Sequence, residues 1–283
     1  MEIGLLKPEV DFVFKKIFGN EKRPEILISF LNAVMESEDK IISVEIQGTD
    51  INQEHIDDKY SRLDIKARTN KNEKVNIEIQ VKNEYNMIKR SLYYWSKMYE
   101  EDLKKGENYD KLKRTVCINL LSFNYLKNDR YHNGYRLKEV ETNEELTDIQ
   151  EIHFIELPKL KESDEVEVSN LLEAWVSFIK NPESKRVKAL ERNIDEIKKA
   201  KEELINLSSD REQRDIYLQR MMAISDRVSD LENATQKGIE EGERRAKEKA
   251  AKALMKLNTP LETIIIATGL SEEEIEYLAK NKE

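Results

Sequence analysis

The chain has 283 residues, 37% of them charged and 39% hydrophobic, with only 8 Gly and 5 Pro and a formal net charge of −9. That length suits one large domain with an appendage, or two modest domains, and the composition favours long, solvated helices around a real core. No run of 18 apolar residues occurs, so no membrane span is expected, and the acidic excess argues against non-specific nucleic-acid binding.

The opening MEIGLLKPEVD lacks a basic stretch leading into an apolar core, so no secretory signal is expected. Asp11 then leads Phe12, Phe14, Ile17 and Phe18 to a break at Gly19-Asn20. Ile26, Leu27, Phe30, Leu31 and Val34 repeat at helical spacing behind Pro24, which suits a first turn. An Asp before such a run is a common helix cap. Residues 41–51 (IISVEIQGTDI) read as a strand leading into a polar link. His55 in that link has only Asp57 and Asp58 nearby and reads as a solvated loop histidine.

Two strands joined by a polar turn come next. Residues 59–69 alternate Leu63, Ile65 and Ala67 against Arg62, Asp64, Lys66 and Arg68. Residues 74–82 alternate Val75, Ile77, Ile79 and Val81 against Asn76, Glu78, Gln80 and Lys82, with Asn70-Lys71-Asn72 between the strands. If they pair, Asp64 and Glu78 share the face opposite the apolar residues, and Gln80 follows one pleat, about 6–7 Å, further on. Carboxylates on adjacent rigid strands can share a hard divalent cation such as Mg²⁺. Such an ion activates water and neutralises charge on a phosphoryl group. Exposed acids on a hairpin's polar face are also commonplace without any such role.

Residues 84–103 read as a helix with Met87, Leu92, Trp95, Met98 and Tyr99 on one side and Gly106 as a C-cap. Lys89, Arg90, Tyr93, Tyr94 and Lys97 give this helix either a phosphate-gripping face or an ordinary amphipathic pattern. Residues 113–123 (KRTVCINLLSF) form a mainly apolar run with few charges, suited to a sheet interior. The single Cys117 within it can make no intramolecular disulfide and points to a buried thiol in a cytoplasmic protein. Strands at 135–141 and 149–157 complete this part. Beyond residue 166 everything reads helical: a segment around Trp175, a helix over 187–207, another around Ile216 to Leu231, and a charged stretch at 238–256. Ser271 and Glu274 form a capping-box pattern in the tail, where Glu272, Glu273 and Glu274 disfavour a DNA-reading helix. Residues 1–130 hold 23 basic and 23 acidic side chains, so the whole net charge lies beyond them, and the N-terminal half is free to carry a basic groove.

No phosphate-binding glycine loop, paired-cysteine motif or zinc-protease motif is present. The acid, a gap, and then E-x-Q, led in by KPEVDFVFKKIFGNEKRPEILISFLNAV and followed by RSLYYWSKMYEEDLKKGENYDKL and TGLSEEEIEYL, resemble the PD-(D/E)XK nuclease superfamily. More narrowly, they resemble its Rpn-type group of recombination-promoting nucleases and transposase-like proteins. The resemblance covers nearly the whole chain. It implies an α/β fold: an αβββαβ core with a mixed central sheet flanked by helices, followed by an all-helical C-terminal region. The corresponding division is 1–160 for the core, 161–235 for a helical extension, and 236–283 for a charged helix and short tail.

By the same resemblance the chain is expected to be an endonuclease using Mg²⁺, with Mn²⁺ as a substitute. Asp64, Glu78 and the main-chain carbonyl of Ile79 would hold the metal. Asp11 would complete or orient the shell, unless it merely caps its helix. Gln80 replaces the usual Lys and would orient water, and Lys82 would restore the missing cation. Lys89, Arg90, Tyr94 and Lys97 would contact DNA. The implied setting is mobile-element recombination or phage defence, with a homodimer or larger homo-oligomer and an inhibitory protein partner. The competing reading is a catalytically dormant assembly protein that self-associates through its helical C-terminal half.

Overall fold

The computed structural model describes residues 4–47, 65–161 and 170–280. The chain forms two compact units, Met1–Met221 and Met222–Glu283.

In the first unit, α1 (Asp11–Phe18) and α2 (Pro24–Met35) precede β1 (Val44–Gln47), β2 (Ile65–Thr69) and β3 (Lys74–Gln80). Then come α3 (Met87–Glu100), β4 (Thr115–Leu121), β5 (His132–Lys138) and β6 (Glu145–Glu156). The described strands form one mixed sheet in the order β1-β2-β3-β4-β6-β5. β1, β2 and β3 run antiparallel in turn, β3, β4 and β6 are parallel, and β5 closes the edge antiparallel to β6. This is the mixed α/β architecture expected of the chain. The expected turn at residues 70–72 forms, with Asn72 in the left-handed region at φ 63° and its N–H donating to Thr69 O at 2.8 Å.

The odd-numbered residues Val75, Ile77 and Ile79 face a helical layer of α1 and α2 with α4 (Leu171–Lys180) and α6 (Asp195–Ser209). Phe14, Phe18, Phe30, Trp175 and Phe178 interlock in this layer at centroid distances of 4.4–6.4 Å. Such aromatic packing contributes beyond its buried area. Pro24 occupies the first turn of α2 as expected. Gly19 is required where α1 ends, because a Cβ there would lie 2.6 Å from Lys15 O.

The opposite face of β2, β3 and β4 is not solvated. α3 covers it with a buried stripe of Met87, Ser91, Tyr94 and Met98; Met87 and Met98 are buried as expected, whereas Trp95 and Tyr99 are half-buried and Leu92 is exposed. Gly106 is not the cap of α3: the helix ends at Glu100, and Gly106 sits in the Lys104–Glu107 turn at φ 86°. The expected helix over 187–207 is two helices, α5 (Lys185–Leu190) and α6, separated at residues 191–194.

At the β5–β6 edge, His132 Nε2 lies 2.9 Å from His153 Nδ1, and His153 Nε2 lies 3.0 Å from Glu151 Oε1. Arg114 and Arg136 also pair with Glu151. Burial, with His153 next, pushes His132 down to about 4. Burial works to raise Glu151, but bonds from His153 and Arg114 outweigh it and hold that carboxyl at about 2. A folded His132 resists protonation while the unfolded chain takes a proton below the ordinary 6.5. Its contribution is therefore complete above pH 6.5 and lost as pH falls from there to 4. The unfolding free energy from urea titrations should fall over this window by about 3 kcal/mol, and His132→Gln should flatten that slope. An unchanged slope in His132→Gln would exclude His132 as its source.

The second unit is helical. α7 (Arg211–Lys256) joins two segments read separately in the sequence, running unbroken through Gly238 and Gly242, where added Cβ atoms would meet nothing. Glu241–Arg245 and Arg244–Glu248 pairs at i,i+4 support this stretch. Within the second unit, Ala251 of α7, Ile264 of α8 (Leu261–Thr268), Leu270, and Ile275 and Leu278 of α9 (Glu272–Lys280) form a small core. The Ser271–Glu274 capping box is made, Ser271 N to Glu274 Oε2 at 2.8 Å and Glu274 N to Ser271 Oγ at 3.2 Å.

Candidate active site

Strand β3 carries the acidic constellation because its alternation places Lys74, Asn76, Glu78 and Gln80 on one face and aliphatics on the other. The polar set meets α3 in a line of ionic and amide contacts. At the far end Lys74 reaches Met98 O and Asp102 Oδ2, the latter at 2.9 Å, and Lys66 bonds Glu101 at 2.6 Å. In the neighbouring strand, Asn119 donates to Ser91 Oγ at 2.9 Å and to His153 O at 3.0 Å.

At the carboxyl end stands Glu78, 1% exposed, with its Oε2 2.8 Å from Arg90 Nη2. The Gln80 amide is oriented by the same guanidinium. With its oxygen toward Arg90 it accepts from Nη1 and, at 3.3 Å, from Nη2, whereas the reverse orientation would set NH₂ against NH₂. Arg90 in turn lies over the Tyr94 ring, 5.4 Å from its centroid. Glu78, Gln80, Arg90 and Tyr94 are thus one assembly.

Tyr94 is fully buried, so its ring backs Arg90 from within the protein and is not presented to a ligand in this structure. Tyr93, beside it, is exposed. Lys89 is exposed on the outer side of α3. Lys97 pairs with Glu100 at 2.9 Å, and that hydrogen bond raises its pKa. Lys82 follows the end of β3, half-buried, and Ile79 is buried on the opposite face from Glu78. Burial, and after it the charge of Glu78, raises the Cys117 thiol well above its ordinary range, keeping it protonated.

The first helix reaches the same end of the sheet. Ser122, just past β4, donates its N–H to Gln80 O at 2.9 Å and its hydroxyl to Glu9 Oε2 at 3.0 Å. Glu9 stands two residues before Asp11, so the start of α1 is tied to the carboxyl ends of β3 and β4. That end is where open α/β sheets place their ligands. Asp11 is not a cap: the N-cap is Val10, and no side-chain cap bond is made. Asp11 Oδ1 is buried without a hydrogen-bond partner among the described residues. The Glu9–Ser122 link has no signature in the sequence, since it needs the strand end and the helix start side by side.

Asp64 lies outside the described residues, as do His55, Asp57 and Asp58. Among the described residues no group of three or more His, Cys, Asp or Glu side chains can share an ion. The donors present nevertheless suit a hard divalent cation: a buried carboxylate at Glu78 and a buried carboxylate oxygen without a partner at Asp11. No helix of the described residues is long and apolar enough to cross a membrane.

No curated protein and no solved structure matches the chain. A family model described as PD-(D/E)XK nuclease family transposase matches residues 8–234, which takes in every strand of the sheet and the Glu78–Gln80–Arg90 assembly. With that span covering most of the chain, the protein belongs to the PD-(D/E)XK nuclease family transposases.

Proposed function

We propose that the chain is a Mg²⁺-dependent endodeoxyribonuclease of the ExQ type, hydrolysing phosphodiester bonds in recombination or phage defence. The observation that carries this reading is Glu78, a carboxylate buried at the carboxyl end of the central strand beside an amide and a cation. Burying this carboxylate is costly even with Arg90 as its partner, a cost that a role at the site would justify. Glu78 and Asp64, with the Ile79 carbonyl, would hold the metal, and Asp11 Oδ1 would join or orient the shell. A bound divalent cation supplies an activated water and charge neutralisation at phosphorus. Gln80 can accept or donate a hydrogen bond but cannot act as a base or carry charge. Lys89 and Lys97 on α3 would meet the DNA backbone, with the helical C-terminal half serving self-association.

A second reading, a dormant assembly protein, draws on the same ion pair, because Arg90 already neutralises Glu78. The two separate on cleavage of supercoiled and linear DNA with Mg²⁺ or Mn²⁺, beside EDTA and an Asp64→Ala/Glu78→Ala control. Metal-dependent nicking that disappears in the control is expected. Nicking that survives the control rules out this site, and no nicking in either metal favours the dormant protein.

A further inference from the structure

We propose that Arg90 is the catalytic cation of this site, held in place by Gln80 and exchanged between Glu78 and the substrate phosphate. This rests on the nuclease reading above. Hydrolysis forms a bond from the water oxygen to phosphorus and breaks the bond from phosphorus to the leaving sugar oxygen. The water gives up a proton to solvent, and the leaving oxygen takes one up. Negative charge accumulates on the non-bridging oxygens during this step, and a fixed cation at that position stabilises it.

Within the Glu78–Gln80 segment the side chains supply one acid, one amide and no positive charge. Arg90 arrives from the next helix and touches both: Glu78 Oε2 at 2.8 Å and the Gln80 oxygen through both terminal nitrogens. A guanidinium offers five donors in a fixed fork, so it can keep Gln80 while turning one edge to a phosphate. It cannot lose its proton, so its part is electrostatic and not that of an acid. Tyr94, buried beneath, gives the guanidinium a floor and holds it at the mouth of the sheet.

The choice of an amide at residue 80 follows from the same geometry. A lysine there would set an ammonium against the guanidinium, whereas the amide oxygen accepts from it. In the protein without metal, Arg90 stabilises the buried carboxylate. When Glu78 turns its charge to a metal, Arg90 is released toward the phosphate. Arg90 therefore competes with the metal for Glu78 and serves the reaction once the metal is bound. These two effects have opposite signs in a variant that lacks it.

The test uses the full chain. Calorimetric titration with Mn²⁺ alone should show Arg90→Met binding the ion about tenfold more tightly than wild type, since an opposing charge beside Glu78 is gone. DNA cleavage by the same variant should fall about 10²–10³-fold. A merely structural arginine would weaken both. The exchange Gln80→Lys/Arg90→Gln should recover cleavage relative to Arg90→Met, while Gln80→Lys alone should not, and circular dichroism confirms that each variant folds. Cleavage by Arg90→Met within a factor of about three of wild type overturns the proposal. Loss of cleavage in Lys82→Met but not in Arg90→Met overturns it also and makes Lys82 the cation. A wild type that binds Mn²⁺ but cuts no DNA defeats the nuclease reading itself, and the Arg90 assignment with it.

Discussion

Glu78→Gln is expected to abolish metal-dependent cleavage, by on the order of 10³-fold, while the protein keeps its fold. The substitution preserves size and one hydrogen-bond acceptor and removes only the charge. Arg90 loses its charged partner at 2.8 Å but keeps the Gln80 oxygen and the Tyr94 ring, so it is not left stranded. The stability loss should accordingly stay at about 1–3 kcal/mol, below that for stripping a buried charge of all its partners. Initial rates of plasmid nicking, set against urea unfolding of the same preparation, check both halves. Full activity in a folded Glu78→Gln protein would remove Glu78 from the chemistry.

Asp102→Ala should be the more damaging change to stability, at about 3–5 kcal/mol, with the reason lying at the other end of the same strand. Lys74 is 1% exposed, and its ammonium is held by Asp102 at 2.9 Å and by Met98 O, with Glu101 more distant at 3.9 Å. Asp102 also accepts two bonds from Arg68 at 3.1 Å. Removing the acid leaves a buried ammonium short of its main counter-charge. Lys74→Met, which withdraws the charge and keeps the volume, should cost less, because the remaining Asp102 is partly exposed and keeps Arg68. Burial works to raise the Asp102 pKa, but the bonds from Lys74 and Arg68 outweigh it and the value falls below 3.8. Its contribution is therefore present at neutral pH and lost as pH falls through that lowered value. Both tryptophans, Trp95 and Trp175, lie in the first unit, so their fluorescence during urea unfolding reports on it. Equal losses for Asp102→Ala and Lys74→Met would refute the counter-charge argument.

The order of helices and strands was legible because each carried its own period. β3 alternates cleanly, α1 and α2 repeat Phe, Ile and Leu at helical spacing, and residues 115–121 form an uncharged, mostly apolar run. What the alternation did not reveal was the fate of the polar face of β2 and β3. A solvated row of Lys, Asn and Glu reads the same as a row covered by a helix that brings Arg90, Glu101 and Asp102 to meet it. Only the partner tells them apart, and it lies 12 to 35 positions away. For the same reason Tyr94 and Tyr93 look interchangeable in sequence, although one is buried under Arg90 and the other faces outward. The histidines at 132 and 153 gave no local signal because β5 and β6 must pair before their rings meet. Glu78 and Gln80 stood out in sequence, whereas their shared contact with Arg90 required the placement of α3.

The clasp between the two ends of the first unit bears on how the protein is made. Leu6 N–H donates to Ser208 Oγ across 202 positions, Trp175 bonds Ser29 across 146, and Arg23 pairs with Glu202 and Glu203 on α6. α1 and α2 precede every strand of the sheet in the chain, yet α4 and α6, which pack against them, follow all the strands. Contacts so remote in sequence form only after long loops close, which slows folding and leaves the early segments waiting. The helix start that carries Asp11 therefore gains its final support only when translation has passed residue 208. Folding of the first unit is thus expected to wait on α6, and with it the final seating of α1.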